Sequence, residues 1–506
     1  MNLFKEASIT SSNKTALYEQ IKYAQLILAF VLITGAILRI YDLGNKSLWV
    51  DELLSIQSSK DIVDIKSFFA PNKINAHPPL YFLFLKIWSF WGDGEVYLRM
   101  LSVIFGILTI LATYLLGRQF FERDVSMIAS FLVSISPFLL LFDREVRMYP
   151  QFVFFTVISI FFFIKALREN KNKYWIGFTF FTVLNTYTHY HAFLVVASMW
   201  LFYFIRFKTY KYLWKKALLS QFVIGLCFSL LTPSFLFHLN RYSAMGGEPT
   251  RFPTVFGLWI KPLYLFFSYS IGQTVLPWNL LIAIPGIAIY IFFLISGIKS
   301  MVNLKETIIF FMVFLFPPIM LALVISDATP RYMVFLGPLF YLIIGRGISE
   351  IPLTKLKITA VIITIIVLGF SLKNYYQNQE FHILANVDPW REVGQYLKEK
   401  TQNEDYILSI GDNLPISYYS GLKIVDFEEE KIKGLEQLND NGKNIWLIVS
   451  NPAYKEQAED GIRWLSEHYN LISEKGYFYD PDFSKKARFF RKNFLEYRIK
   501  VYLYRG

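Results

Sequence analysis

The 506-residue sequence has a single cysteine, Cys227, and it sits inside an apolar run. That excludes a disulfide framework and a cysteine-ligated metal centre. No small-residue cleavage site follows the first apolar run, residues 23–41, so this run reads as a retained span and not as a removed leader. The polar C-terminal stretch lacks both a phosphate-loop pattern and GxGxxG, which leaves it an accessory role. A net charge of +12 would suit a nucleic-acid partner, but its distribution does not. Beyond residue 373 there are 18 Lys+Arg against 21 Asp+Glu, and before it 33 against 18. The basic excess therefore lies in the short loops of the apolar half, as in cytoplasmic loops of membrane proteins.

What the sequence has in quantity is apolar surface. Hydrophobic residues make up 54% of the chain and mean hydropathy is +0.37, so lipid must solvate much of it. Runs long enough to cross a bilayer lie near 23–41, 98–118, 124–142, 149–167, 174–190, 191–207, 216–237, 279–298, 306–325, 332–348 and 358–373. This predicts an α-helical polytopic membrane protein of about eleven spans. Two further stretches, 79–91 with Lys86 and 256–272 with Lys261 and Pro262, are too short or too interrupted and read as interfacial or re-entrant helices.

Loop charge orients the spans. With the N-terminus inside, 19 basic residues fall on inner loops, and counting 79–91 as a span would move 16 of them outside. The outer face then collects the first loop (42–97), the 143–148 loop, His189 and His191, the 238–278 loop, 327–331 and everything beyond residue 373. Residues 1–373 are expected to form the membrane domain and 374–506 a small extracytoplasmic α/β domain. Its helical patterns at 390–400 and 454–468 alternate with strand-like runs at 405–410, 422–427 and 444–450.

Ionisable groups crowd that outer face. Asp51 and Glu52 follow Trp49 in LGNKSLWVDELLSIQ, where the plain alternative is two solvated acids opening an interfacial helix. His77 precedes two prolines in NAHPPL, which stiffen the chain there. SPFLLLFDREVRMYP packs Asp143, Arg144, Glu145, Arg147 and Tyr149 into seven residues. His189 and His191 stand in NTYTHYHAFL, and Arg331 and Tyr332 in DATPRYMVF. Interfacial Arg and Tyr often serve only as anchors. Convergence on one surface, where acid–base groups and cations meet, is what points to chemistry.

In the order WVDE, HPPL, SP…DREVRMY, THY and PRYMVFLGPL, the chain resembles family-39-type glycosyltransferases of the GT-C class. Relatives in that class include protein O-mannosyltransferases and the lipid A aminoarabinose transferase. The resemblance covers roughly residues 23–373. It implies transfer of a sugar from a polyprenyl phosphate, with Asp51 matching the first-loop acid that acts on the acceptor. His77 stands where the aminoarabinose transferase has a glutamate that helps bind a metal, which makes a divalent ion near His77 an expectation. His189 matches a phosphate-binding lysine of that relative, and Arg331 with Tyr332 a later loop that faces the phosphate. Both relatives end the 143–150 motif with an acid, whereas here Tyr149 precedes Pro150 and the carboxylates come earlier. The tryptophan-tryptophan-aspartate signature of oligosaccharyltransferases is also missing.

The chemistry such a transfer requires is a base for the acceptor hydroxyl and cations for the departing phosphate. The expected roles are Asp51 as base in an inverting displacement, with Glu145 or Asp143 orienting acceptor or sugar. Glu52, Arg144, Arg147, Tyr149, His189, His191, Arg331 and Tyr332 are expected to bind substrate. The expected acceptor is a lipid, glycan or protein hydroxyl, the expected location the plasma (inner) membrane, and nucleic acid is no partner. The competing reading, a lipid or sugar flippase, predicts ionisable groups at mid-span. Here the spans carry charge almost only at their ends, such as Arg99, Lys165 and Arg206.

Overall fold

A computed structural model describes residues 11–72, 75–244, 260–324, 330–352, 355–379, 388–403, 405–427, 443–450, 455–478 and 497–505. The chain divides into two compact units, Met1–Leu43 with Ser58–Phe381, and Gly44–Gln57 with His382–Gly506.

The first unit is helical, as its apolar runs require. Among the described residues six helices are long and apolar enough to cross a membrane: Lys22–Ile40, Glu95–Gly117, Tyr149–Glu169, Leu280–Met301, Pro330–Glu350 and Lys355–Tyr376. Two bent pairs, Arg123–Ile135 with Pro137–Asp143 and Ala192–Ile205 with Phe207–Ser229, raise that number to eight. The count of eleven differs because run 174–190 yields only the 15-residue helix Asn172–Thr186, and because 191–207 and 216–237 are joined by a bend. Run 306–325 is the 20-residue helix Lys305–Val324, with Pro317 and Pro318 inside it.

The bends have local causes. Ser136 is extended, as a residue before proline prefers, and its side chain caps the next helix by accepting from Leu139 N (3.3 Å), with Pro137 at the first position. The result is a 58° change of direction. Helix Leu80–Trp88, within the 79–91 stretch, has nine residues, about 13 Å at 1.5 Å per residue, too short to cross the hydrocarbon core. Helix Ile260–Ile271, within 256–272, has twelve.

The second unit holds a five-stranded mixed sheet. Its strands are β1 (Tyr406–Ile410), β2 (Val425–Asp426), β3 (Asn444–Ser450), β4 (Asn470–Phe478) and β5 (Tyr497–Arg505), in the order β2-β1-β3-β5-β4. Strand β1 runs parallel to β2 and β3, while β5 is antiparallel to β3 and β4. Alternate residues of β3 serve opposite faces. Ile445, Leu447 and Val449 join a core with Leu465 of helix Lys455–His468, and Trp446 and Ile448 join one with Trp390, Val393 and Leu397 of helix Trp390–Lys400. Burial on both faces explains why NIWLIVS reads as a continuous apolar run.

Residues 44–57 are fastened into this unit by hydrogen bonds. Arg391 donates its backbone N–H to Ser47 Oγ (3.1 Å) and its Nη2 to Gly44 O (3.1 Å). Leu48 N–H donates to the Tyr419 hydroxyl (2.6 Å).

Candidate active site

A cationic and aromatic cluster forms in the first unit from three separate loops. Pro78 and Pro79 direct the chain into helix Leu80–Trp88, and Leu80 N–H donates to Tyr187 O (3.0 Å), tying the His77 loop to the turn between helices Asn172–Thr186 and Ala192–Ile205. That turn carries His189 and His191. The third piece is the 3₁₀ turn Pro330–Leu336, fixed by the Tyr269 hydroxyl donating to Met333 O.

The rings then meet. His77 and His189 have centroids 5.1 Å apart, His189 and His191 4.9 Å, and His191 stacks on Tyr332 at 5.5 Å with planes 7° apart. Arg147 Nη2 reaches His77 Nε2 at 3.4 Å, and its guanidinium lies 5.8 Å from the Tyr149 ring centre. Arg331 donates to the Tyr332 hydroxyl at 3.2 Å. His189 Nδ1 accepts from His191 N–H (3.1 Å), which places the proton of the neutral ring on Nε2. That buried Nε2 has no hydrogen-bond partner among the described residues. A buried donor of this kind is costly unless an acceptor arrives.

Burial is the main force holding His77 and His189 well below the ordinary histidine range. Neighbouring imidazoles and the Arg147 and Arg331 guanidiniums add to it. Burial pushes His191 down to about 4. The two guanidiniums are the part of these surroundings that repels protons and attracts anions.

The 143–149 connection divides by role. Asp143 Oδ2 accepts from Arg39 Nε (2.8 Å) and lies 2.7 Å from Arg39 Nη2, both side chains being buried. That carboxylate is accounted for by an ion pair within the helix packing. Arg144 donates to Leu38 O (3.3 Å) and Asp42 O (2.8 Å) at the end of the first helix and lies over the Tyr375 and Tyr376 rings, at 5.2 and 4.9 Å. It satisfies a helix C-terminus, a task that differs from the expected substrate contact. Arg147 and Tyr149 face the cluster. Glu145 is buried, and its carbonyl accepts from Arg147 N–H (2.8 Å).

In the second unit, Asp51 and Glu52 open helix Val50–Asp61. Glu52 is fully buried and its Oε2 accepts from Trp49 N–H (3.4 Å), reaching back to the residue before the helix as a third-position capping acid does. Asp51 remains partly exposed.

The expectation of a metal near His77 does not fit these surroundings. Among the described residues no group of three or more His, Cys, Asp or Glu side chains is arranged to hold a metal ion, and the guanidiniums beside His77 would repel one. Sequence reading missed Phe152, stacked on His189 at 4.7 Å, and Gln151, which donates to Thr188 Oγ1 (3.1 Å). Gln151 was visible as a polar residue two positions into an apolar run; nothing set Phe152 apart among 50 phenylalanines.

Residues 76–237, which carry His77, the 143–149 connection and the histidine turn, match the family model described as dolichyl-phosphate-mannose-protein mannosyltransferase. An uncharacterised protein of Aquifex aeolicus (strain VF5) is 25% identical over 155 residues, 29% of this chain and 31% of that one, so the match spans about a third of that relative. The fold is similar to that of ArnT from Cupriavidus metallidurans in the apo state, with TM-score 0.63 and 10% identity over 96% of this chain and 98% of that one. ArnT bound to undecaprenyl phosphate gives 0.54 and 12%, over 95% and 98%. The archaeal oligosaccharyltransferase AglB from Archaeoglobus fulgidus, in complex with an inhibitory peptide and a dolichol-phosphate, gives 0.57 and 12%, over 92% and 74%. The segment that carries His77, His189 and His191 thus matches the mannosyltransferase family model, and the fold along nearly the whole chain is similar to that of ArnT.

Proposed function

We propose that this protein transfers a sugar from a polyprenyl phosphate to a hydroxyl of a lipid, glycan or protein, on the outer face of the plasma membrane. The observation that carries the reading is the cluster of His77, Arg147, His189, His191, Arg331 and Tyr332. Its field favours an anion, and a buried imidazole N–H stands ready for an acceptor oxygen. Supporting it, ArnT has been solved with undecaprenyl phosphate and AglB with a dolichol-phosphate. The basic inner loops support the outer placement.

In the proposed step the acceptor oxygen attacks the anomeric carbon as its bond to the phosphate oxygen breaks, inverting the configuration. The polyprenyl phosphate leaves with the electron pair, and the hydroxyl proton passes to Asp51, the acid selected by the family resemblance. Arg147 and Arg331 offset the charge growing on the phosphate, and the His189 N–H donates to one of its oxygens. Glu145 is proposed to orient sugar or acceptor, since Asp143 is held by Arg39.

The test is a panel of polyprenyl-phosphate sugars incubated with purified enzyme and followed by mass spectrometry for consumption of one of them. Asp51→Asn should lower turnover by roughly 10² to 10⁴ while donor binding persists, the range for a lost general base. Arg331→Ala should weaken donor binding as well. Turnover of no donor, together with measurable lipid translocation, would replace this reading with a flippase.

A further inference from the structure

The other end of helix Ala192–Ile205 carries a second charged surface. His191 precedes this 14-residue helix and Arg206 follows it, so the two lie about 21 Å apart at 1.5 Å per residue. At Arg206 the chain turns by 81° and runs as RFKTYKYLWKK before helix Trp214–Ser229 continues. These residues, 206–216, contain five cations and no acid.

Two of the five have structural tasks. Arg206 Nη2 lies 3.6 Å from Glu306 Oε2, and Lys216 donates to Asn170 O (3.3 Å), Asn170 Oδ1 (2.9 Å) and Asn172 Oδ1 (2.9 Å). Lys208, Lys211 and Lys215 are exposed. None of them is ion-paired to an acid among the described residues. Tyr210 and Leu213 are buried and anchor the connector, while Phe207, Tyr212 and Trp214 are left exposed beside the lysines. Lys215 Nζ sits 5.8 Å from the Trp214 ring centre.

We propose that this connector binds the phosphate headgroups of anionic lipids, at the membrane face opposite the histidine cluster. Exposed aromatics at the end of a span sit at headgroup depth, and lysines there meet lipid phosphate before any other anion. A zwitterionic headgroup brings no net charge, so the three lysines select for an anionic one. Each lysine near an anionic surface is worth about a factor of five, and three together give roughly a hundredfold preference.

The experiment uses the full-length protein and phosphatidylglycerol against phosphatidylcholine. Relative affinities come from native mass spectrometry of lipid titrations, and contact is located by quenching of Trp214 with brominated lipids, with Trp214→Phe isolating its signal. The parent should prefer phosphatidylglycerol by roughly a hundredfold, and K208Q/K211Q/K215Q should lose most of that preference with thermal stability unchanged. Equal affinities in the parent, or a preference intact in the triple variant, overturn the proposal. Should the triple variant fail to fold, sodium chloride titration of the parent decides. A preference that falls with salt supports headgroup pairing, and one indifferent to salt refutes it.

Discussion

Removing one half of the Arg39–Asp143 pair should expose how much of the 143–149 connection is scaffold. Arg39 is fully buried, and besides Asp143 its guanidinium donates to Gly35 O (3.1 Å), Ser134 O (2.9 Å) and Val133 O (3.3 Å). In Asp143→Asn the guanidinium keeps those carbonyls and the asparagine oxygen, so the loss should fall near the lower end of the roughly 3–5 kcal/mol seen when a buried pair is broken. Arg39→Met takes both donors from a buried carboxylate and should cost more, toward the upper end of that range. The double change Arg39→Met with Asp143→Leu leaves no orphaned charge and should recover much of the loss. The assay is equilibrium unfolding in mixed micelles, with sugar transfer measured on the folded fraction of each variant. An Asp143→Asn protein as stable as the parent but unable to turn over donor would refute the reasoning and return Asp143 to the chemistry.

The other predictions are narrower. A Cβ at Gly106 would stand 2.5 Å from Asp143 Cγ and 2.9 Å from Arg39 Nε, so Gly106→Ala should displace the pair and lower the unfolding temperature in a thermal scan, whereas Gly225→Ala, with open space around it, should not. Because the folded-state values of His77, His189 and His191 lie below the ordinary 6.5, the unfolded chain binds more protons in that window. Stability should therefore be flat above about pH 6.5 and fall as pH drops toward 4, by at most about 1.4 kcal/mol per pH unit from His191. For topology, Lys398→Cys in a Cys227→Ser background should react with an impermeant thiol reagent added outside intact cells; labelling only after lysis would invert the orientation.

The residues of the cluster were legible in the sequence, but their division of labour was not. Five polar groups in seven residues announce a special connection, yet Asp143 is paired to a residue 104 positions away, and no spacing reports that. The span count differs for another reason: of run 174–190 only the 15 residues Asn172–Thr186 are helical, and the chain bends by 81° between 191–207 and 216–237. In the tail, β1 and β3 were readable because burial on both faces makes them uniformly apolar. Strand β4 is exposed at most positions and carries Glu474 and Lys475, so it has no apolar face to betray it. Strand β5 does alternate, in YRIKVYLYR, but its tyrosines and charges blur the pattern.

The hydrogen bonds that fasten residues 44–57 to the tail also impose a timetable. Gly44 and Arg391 are 347 positions apart, which at 5–20 residues per second is about 20–70 s of synthesis. Throughout that interval the Gly44 carbonyl has been made while Arg391 does not yet exist, and Leu48 waits longer still for Tyr419. The segment leading into the helix that bears Asp51 can be fastened only after Arg391 and Tyr419 have been made, so a chain truncated between the span Lys355–Tyr376 and Arg391 would hold all its spans and lack these fastenings.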